Sequence, residues 1–178
     1  MQETPEFSKI LQVDSLSEAA KRVRLEANDT ERAALAARFE LISVESLTGD
    51  LIVERTKGSE LIRVRGRMAA EIRQSCVISG DPVAATIEES VDERFGEPGD
   101  TDIEIEVSLD EEDPPEPIEN GEIDLGEVVA QILGVAIDPY PRASGAEIPQ
   151  QYQAEEGDSV EMRKNPFEVL SSLKREGD

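Results

Sequence analysis

The segment from Glu119 to Ala143 constrains the fold of this chain more than any other, because it predicts a helix with both ends marked. The side chain of Asp124 can accept hydrogen bonds from the first free backbone N–H groups, and Glu127 follows three positions later, as in a capping box. Pro139 ends the helix, since it pushes Asp138 out of the helical region. Apolar residues recur between these ends at the spacing of one buried helix face, at Leu125, Val128, Val129, Ile132, Leu133 and Ala136. The segment therefore predicts a docked helix that holds the residues after Pro139 in a fixed place.

The residues before this helix carry mostly the two-residue period of β-strands. Residues 7–13 and 23–27 predict short strands, and Asn28 predicts the start of a short helix, with Glu31 in the capping-box position. From residue 41 to about 97 the period is two, and turn or bulge residues divide the region, at Gly49–Asp50, Lys57–Ser59 and Ser79–Pro82. The pattern predicts an α+β fold: an antiparallel β meander or small barrel, a long C-terminal docked helix and short flanking helices.

The domain organisation predicted for the 178 residues is one domain followed by extensions. Residues 1–145 form the single α+β domain, with an acidic insertion at about 97–120 that includes an edge-strand pattern at 103–109. Residues 146–164 are polar without a clear period, which is typical of a flexible linker. An Asn-Pro pair opens a last helix over 165–176. Two alternatives stay open for this helix: it docks on its own domain, or it occupies the groove of a partner.

Several residue types that common active sites need are missing from the chain. There is no histidine and a single cysteine, so a Ser-His-Asp or Cys-His arrangement and an internal disulfide are excluded. One cysteine without histidine also argues against a zinc site, and no Gly-rich phosphate loop is present. We therefore expect a protein that is not an enzyme, with no metal, no cofactor and no small-molecule substrate. No apolar run reaches the ~20 residues of a membrane span, and the first residues do not resemble a signal peptide, which predicts a cytoplasmic protein.

The charge of the chain narrows the class of partner. The formal net charge is −23, which repels phosphate at long range and favours basic partners. The most acidic stretch, from Thr86 to Asp124, carries seventeen acids against Arg94 alone. Two interpretations of this stretch stay open: a docking surface for a basic protein, or a solvated loop that keeps the protein soluble.

The only basic island lies between Arg55 and Arg73, with six basic residues against two acids. Within it Arg63, Arg65 and Arg67 alternate with small or apolar residues, so a strand places the three on one face. This arginine face predicts either a contact with RNA phosphates or an acidic partner, or ion pairs with the acids of the neighbouring strand at 88–93. No aromatic residue is interleaved with the arginines, so a base-stacking platform is not expected.

Three further groups of residues, taken together, resemble a known family. The strings Gln74-Ser-Cys-Val-Ile-Ser-Gly-Asp-Pro-Val83, Gly121-Glu-Ile-Asp-Leu-Gly-Glu127 with Pro139-Tyr-Pro-Arg142, and Asn165-Pro-Phe-Glu-Val-Leu-Ser-Ser-Leu-Lys174 stand in this order. They are similar to motifs of the YceD-like family, the large ribosomal RNA subunit accumulation proteins. The positions that match the motifs are Cys76, Pro82, Gly121, Asp124, Leu125, Pro139, Pro141, Asn165, Pro166 and Phe167.

The resemblance implies a role in keeping large-subunit (23S) ribosomal RNA at its normal level and brings no agreed catalytic residues. Many relatives carry a second cysteine three positions after Cys76, where this chain has Ser79, so Cys-x-x-Cys metal or redox chemistry is not expected. Cys76 is then either a small buried side chain at a strand end or a contact residue of the loop. Tyr140 and Arg142 likewise belong either to a packed corner, with the tyrosine filling the edge of the core, or to a presented contact patch.

The sequence as a whole therefore predicts a non-catalytic factor for large-subunit ribosomal RNA accumulation and ribosome assembly. We expect it to bind a basic ribosomal or assembly protein, with possible contact to rRNA through the arginine face or through Tyr140 and Arg142. The alternative is a general acidic protein-binding module, or nucleic-acid mimic, without a ribosomal role.

Overall fold

A computed structural model of the chain describes residues 5–17, 19–56, 58–59, 61–96 and 114–148. The chain divides into two units, residues 1–146 and residues 147–178. The predicted edge strand at 103–109 and the predicted helix at 165–176 lie outside the described residues, as does nearly all of the predicted linker at 146–164. The predicted domain boundaries therefore stay predictions.

The described residues form seven strands, two α-helices and one 3₁₀ turn, and all of them belong to the first unit. In chain order the elements are β1 (Ile10–Gln12), the 3₁₀ turn (Val13–Ser15), β2 (Lys21–Glu26), α1 (Asp29–Arg38), β3 (Ser43–Arg55), β4 (Ile62–Ser75), β5 (Pro82–Gly96), β6 (Glu116–Pro117), β7 (Glu122–Asp124) and α2 (Leu125–Ala136).

The main sheet has five strands in the order β2-β3-β4-β5-β6, and β1 pairs with β7 in a separate two-stranded sheet. All pairs in the main sheet are antiparallel except β5 with the two-residue β6, which is parallel. The predicted α+β class and antiparallel meander are therefore confirmed. The predicted alternative of a small barrel is wrong for the described residues, because their sheet stays open and does not close on itself.

Strand β3 runs through Gly49 and Asp50 without a break, so the turn or bulge predicted there is wrong. The register of β3 shifts earlier, between Val44 and Ser46. Gly49 is needed for a different reason: a Cβ atom at this position would lie 2.9 Å from Cγ2 of Val129 in α2. The glycine thus lets the helix approach the sheet closely. Turns lie within both predicted ranges, at Gly58–Ser59 for the range 57–59 and around Gly80 for the range 79–82, and both glycines are in the left-handed region.

Helix α1 begins as its sequence predicts. The side chain of Asn28 accepts hydrogen bonds from the backbone N–H groups of Thr30 and Glu31, at 2.9 Å and 3.1 Å. The Glu31 carboxylate in turn accepts from the Asn28 backbone N–H at 2.7 Å, which completes a capping box. Leu35 is fully buried in the core, and the half-buried Phe39 at the end of the helix packs against it.

Helix α2 differs from its prediction at both ends. Asp124 accepts from the N–H groups of Gly126 and Glu127, but the Glu127 carboxylate does not return to the cap. It binds Arg38 of α1 through two hydrogen bonds, at 2.9 Å and 2.8 Å. The helix has twelve residues and ends at Ala136, because Ile137 already has an extended backbone at ψ 129°. The long C-terminal helix of the prediction is therefore not confirmed.

The core is aliphatic, as the scarcity of aromatic residues requires. Its largest fully buried side chains come from α1, β3, β4, β5 and α2, and they are Leu35, Leu47, Leu51, Val53, Ile62, Val64, Met68, Ile72, Val91, Leu125, Val129 and Leu133. On α2, Ile132 and Ala136 of the predicted face are only half-buried, whereas Ala130, outside the prediction, is fully buried. The helix face that packs on the sheet is thus turned slightly from the predicted one.

Candidate functional site

Two of the three family-like segments meet at one corner of the fold. The end of β4 and its following turn contact the chain that leaves α2. The Val77 backbone N–H donates to the carbonyl oxygen of Pro141 at 2.9 Å. The Ala143 N–H donates to Sγ of Cys76 at 3.3 Å. We call the surface formed by residues 74–82 and 138–143 the motif corner.

Cys76 lies inside the motif corner and is 4% exposed. Its sulfur accepts hydrogen bonds from the N–H groups of Ala143 at 3.3 Å, and of Ile78 and Ser79, both at 3.4 Å. The Ala143 N–H lowers the pKa of Cys76 most, followed by the side chain and the N–H of Ser79, because each hydrogen bond favours the negative thiolate. The pKa therefore falls to about 6 against the opposing effect of burial. Burial agrees with the interpretation of Cys76 as a packed side chain at a strand end. The neighbouring Val77 is 51% exposed, so the turn itself is accessible.

Gln74 is the only buried polar residue among those described, and sequence reasoning missed it. Its side-chain amide donates to the carbonyl oxygen of Asp138 at 2.7 Å, so the end of β4 holds the backbone of the segment after α2. A signal was present in the sequence: Gln74 continues the inward-facing register of Ile72 on β4. A polar side chain in that register has to find a buried partner.

Tyr140 is presented to solvent, with 71% of its surface exposed. The interpretation in which its ring fills the edge of the core is therefore wrong. The packing role belongs to Pro141, which is buried, while Pro139 and Arg142 are exposed. The Tyr140 N–H donates to the side chain of Asp138 at 2.8 Å, which fixes the backbone that carries the ring. The motif corner thus holds an exposed aromatic side chain on a rigid backbone.

The other family-like positions have structural roles or lie outside the description. Gly121 adopts a left-handed backbone, with φ at +71°, just before β7, and Asp124 caps α2. Leu125 is buried in the core, and Pro82 is the exposed first residue of β5. The remaining positions are outside the described residues, namely Asn165, Pro166 and Phe167.

The arginine face lies on β4, away from the motif corner, and all three side chains are exposed as the alternation predicts. Arg63 binds Asp92 of β5 through two hydrogen bonds, at 2.7 Å and 2.5 Å. Arg65 pairs with Glu54 of β3 at 3.0 Å. The positive charge of Arg63, chiefly through its hydrogen bonds, holds the pKa of Asp92 below its usual value.

Cross-strand ion pairing of the arginine face therefore occurs, although Glu54 was not among its predicted partners. Arg67 differs from its two neighbours, since it makes no ion pair within the described part of the chain. In the register of the sheet it lies between Asp50 of β3 and Ser90 of β5. The arginine face therefore combines two arginines that are paired with acids, Arg63 and Arg65, and one arginine, Arg67, that makes no ion pair among the described residues.

Other kinds of site have little support in the described residues. They contain no group of three or more His, Cys, Asp or Glu side chains placed to hold a metal ion. Within the same ranges, no helix has the length and apolar character that a membrane crossing requires.

The fold and the motif corner together define a small α+β protein in which two of the three family-like segments form one joined surface. The chain matches the family model described as "Large ribosomal RNA subunit accumulation protein YceD" over residues 64–174, and it belongs to that family. This confirms the resemblance seen in the sequence. The family's name implies a role in large ribosomal RNA subunit accumulation and describes an accumulation factor, not an enzyme. Neither a curated protein nor a solved structure matches the chain.

Proposed function

We propose that this protein is a non-catalytic, cytoplasmic factor that supports accumulation of large-subunit (23S) ribosomal RNA and assembly of the large subunit. It acts mainly by holding a basic ribosomal protein or assembly factor, and the arginine face makes a secondary contact with rRNA. The observation that carries the proposal is the family match over residues 64–174, which spans both segments of the motif corner.

The net charge supports a protein partner over RNA as the main ligand. At −23 the chain attracts cationic surfaces from a distance and repels the phosphate backbone. A basic ribosomal protein that is not yet on its RNA carries the complementary charge. An acidic chain that holds such a protein until it meets RNA affects the level of ribosomal RNA without catalysing a reaction.

The ion pairs of the arginine face support only a secondary role for RNA there. An RNA phosphate that binds Arg63 or Arg65 has to displace Asp92 or Glu54, whereas Arg67 has no such competitor among the described residues. Exposed pairs of this kind are worth roughly 0–1 kcal/mol each, so a phosphate can compete with them. The contact is therefore weak and sensitive to salt.

The proposal is tested by removing the gene product from its own cells and measuring the ratio of large-subunit to small-subunit RNA. We expect the ratio to fall and to return when the full chain is supplied. An unchanged ratio would contradict the proposal. Capture of the tagged chain at near-physiological salt, with and without ribonuclease, then identifies the partner. One basic ribosomal or assembly protein that stays bound after ribonuclease supports the protein-holding mechanism.

The arginine contact is tested separately by replacing Arg63, Arg65 and Arg67 with Gln. This change removes the cations without placing new acids beside Asp92. The matched control replaces the three basic residues exposed on β2, namely Lys21, Arg22 and Arg24. We expect the first triple variant to lose RNA on capture and to keep its protein partner. Equal RNA retention in both variants would remove the arginine face from the proposal.

The same net charge also supports a general acidic binding module without a ribosomal role. That function predicts the capture of many basic proteins, each weakly and with strong salt dependence. It also predicts a normal ribosomal RNA ratio in cells that lack the protein.

A further inference from the structure

A groove of about 1160 Å³ lies between α2 and the neighbouring strands, and the motif corner does not contribute to it. One side is lined by residues of β5 and β6 and the other by α2 and the segment that leads into it, and residues of the N-terminal segment at 5–10 also contribute. We call this surface the acidic groove and define it by six of its side chains, Glu89, Glu116, Glu119, Val128, Ile132 and Val135. It is larger than the ~300–1,000 Å³ that is usual for small-molecule pockets.

The lining of the acidic groove includes an apolar strip along α2. Val128, Ile132 and Val135 stand three or four positions apart, so they follow one another along the helix surface. The packing of Val128 and Ile132 against the core fixes the base of the strip. Val135 is 90% exposed, which leaves a large apolar side chain without cover in the described residues. An apolar strip of this kind gains free energy when a second apolar surface covers it.

The charges around this strip have one sign. Seven carboxylates and no lysine or arginine line the groove among the described residues. One of the carboxylates, Glu127, is neutralised by Arg38. Three others, Glu89, Glu116 and Glu119, make no ion pair or side-chain hydrogen bond within the described ranges. A concave surface with an apolar base and only acidic charged groups concentrates negative potential, and so it attracts a cationic ligand.

We propose that the acidic groove binds a basic amphipathic helix of a protein partner, an inference that rests on the proposed function and names its binding surface. The apolar stripe of such a helix covers Val128, Ile132 and Val135, as in helix-in-groove recognition. Its flanking lysines and arginines pair with Glu89, Glu116 and Glu119. RNA is disfavoured because its phosphates meet carboxylates. A second copy is disfavoured because each chain carries a net charge of −23.

The experiment uses the full chain and a synthetic probe. The probe is a fluorescent helical peptide of about four turns, with leucines at i, i+3, i+4 and i+7 and lysines elsewhere. Its control is a scrambled peptide of the same composition, which has the same charge but no apolar stripe. We expect the amphipathic peptide to bind, and the scrambled peptide to bind at least about tenfold more weakly because it cannot cover the apolar strip. Equal binding of the two peptides would overturn the proposal.

Two pairs of variants locate the binding surface. The rim variant replaces Glu89, Glu116 and Glu119 with Gln, and its matched control replaces three exposed acids outside the groove, Glu26, Glu71 and Glu88. Both change the net charge equally. We expect the rim variant to weaken peptide binding about tenfold more than the control and to flatten its salt dependence. Equal losses of peptide affinity in the two variants would show that the net charge of the chain, and not the acidic groove, attracts the peptide, and would overturn the proposal.

The second pair tests the apolar strip. Val135→Gln removes the exposed valine, and Ile42→Gln removes a comparable apolar side chain, 50% exposed, outside the groove. Neither change disturbs a buried group, so both variants are expected to fold. We expect Val135→Gln alone to weaken peptide binding, by up to about tenfold for full burial of the valine. A wild-type dimer that Val135→Gln dissociates would overturn the proposal, because a second copy would then occupy the groove.

Complementation separates this inference from the proposed function. If the rim variant restores large-subunit RNA as well as its matched control does, the acidic groove is not the working surface and the inference fails while the proposed function stands. If removal of the protein leaves the RNA ratio unchanged, the proposed function fails. If the matched control restores large-subunit RNA and the rim variant does not, the result supports both the proposed function and the acidic groove as its binding surface.

Discussion

The backbone N–H of Ala143 donates a hydrogen bond to Sγ of Cys76 at 3.3 Å, across 67 residues of sequence. The contact joins the turn after β4 to the segment after α2, so two motifs that are distant in the chain form one corner. It also makes the charge on the sulfur sensitive to folding, because the N–H groups around Cys76 are brought together only in the folded state. The corner is thus built around a thiol whose pKa is about 6.

The first prediction concerns the pH dependence of stability. The folded pKa of Cys76 is about 6 against a usual value of 9.0, so the folded state holds the thiolate more favourably than the unfolded chain does. The resulting stabilisation is absent below pH 6, grows as the pH rises from 6 to 9 and is complete above 9. Urea denaturation of the reduced wild type and of Cys76→Ser should therefore give free energies of unfolding that diverge across this range.

Serine is the control for this prediction, because its hydroxyl does not titrate while every other group is shared. The ultraviolet absorbance of the thiolate, measured against Cys76→Ser, gives the pKa of the folded protein directly. A difference in unfolding free energy that stays constant with pH would show that the surrounding N–H groups do not stabilise the thiolate.

The second prediction separates function from stability at Tyr140. Because the side chain is 71% exposed, Tyr140→Ala should change the free energy of unfolding by less than about 0.5 kcal/mol. If the motif corner contacts a partner through this ring, the same variant should restore large-subunit RNA poorly in cells that lack the protein. Arg142→Gln tests the neighbouring exposed cation in the same way. Ile42→Ala, which removes an exposed apolar side chain elsewhere, is the control. Full restoration by Tyr140→Ala would leave the ring without a role.

Features that depend only on residues close together in the chain could be predicted from the sequence. The capping box of Asn28 and Glu31 depends on four neighbouring residues, and both halves are present. The alternation of Arg63, Arg65 and Arg67 with small or apolar residues depends only on the period of a strand, and the three side chains do share an exposed face. The meander follows from short turns between strand-like runs.

Features that depend on distant residues could not be predicted in this way. Gly49 signals a turn by itself, and only the approach of Val129 explains why it lies inside a strand. Glu127 has the spacing of a capping box, but the guanidinium of Arg38, 89 residues away, competes for its carboxylate. The acidic groove combines residues of β5, β6, α2 and the segment between β6 and α2, which no single stretch of sequence places together.

The third prediction concerns the cap of α1. Asn28→Ala removes the acceptor for two backbone N–H groups, so it should lower the free energy of unfolding by about 1 kcal/mol. Asn28→Gly should cost only a few tenths of a kcal/mol, since glycine is tolerated at this position. Urea denaturation of the three proteins measures both effects. An Asn28→Ala variant as stable as the wild type would show that the side-chain hydrogen bonds do not stabilise the helix.

The fourth prediction concerns the close approach of β3 and β4 at Gly66. A Cβ atom there would lie 2.0 Å from the carbonyl oxygen of Asp50 and 3.0 Å from Cα of Leu51. Both are backbone atoms of a paired strand, so neither can move without disturbing the register of the sheet. Gly66→Ala should therefore lower the free energy of unfolding by about 3 kcal/mol, as overpacked sites do.

The control for Gly66→Ala is the reverse change on the same strand, Ala69→Gly, which creates no contact and should cost about 0.5–1 kcal/mol through backbone entropy. Urea denaturation with an unchanged m-value would attribute the difference to the folded state. Because the clash is with backbone and not with a flexible side chain, shortening a neighbouring side chain such as Met68→Ala should not rescue Gly66→Ala. Rescue, or a loss no larger than that of Ala69→Gly, would show that β3 and β4 separate at this point more easily than their pairing indicates.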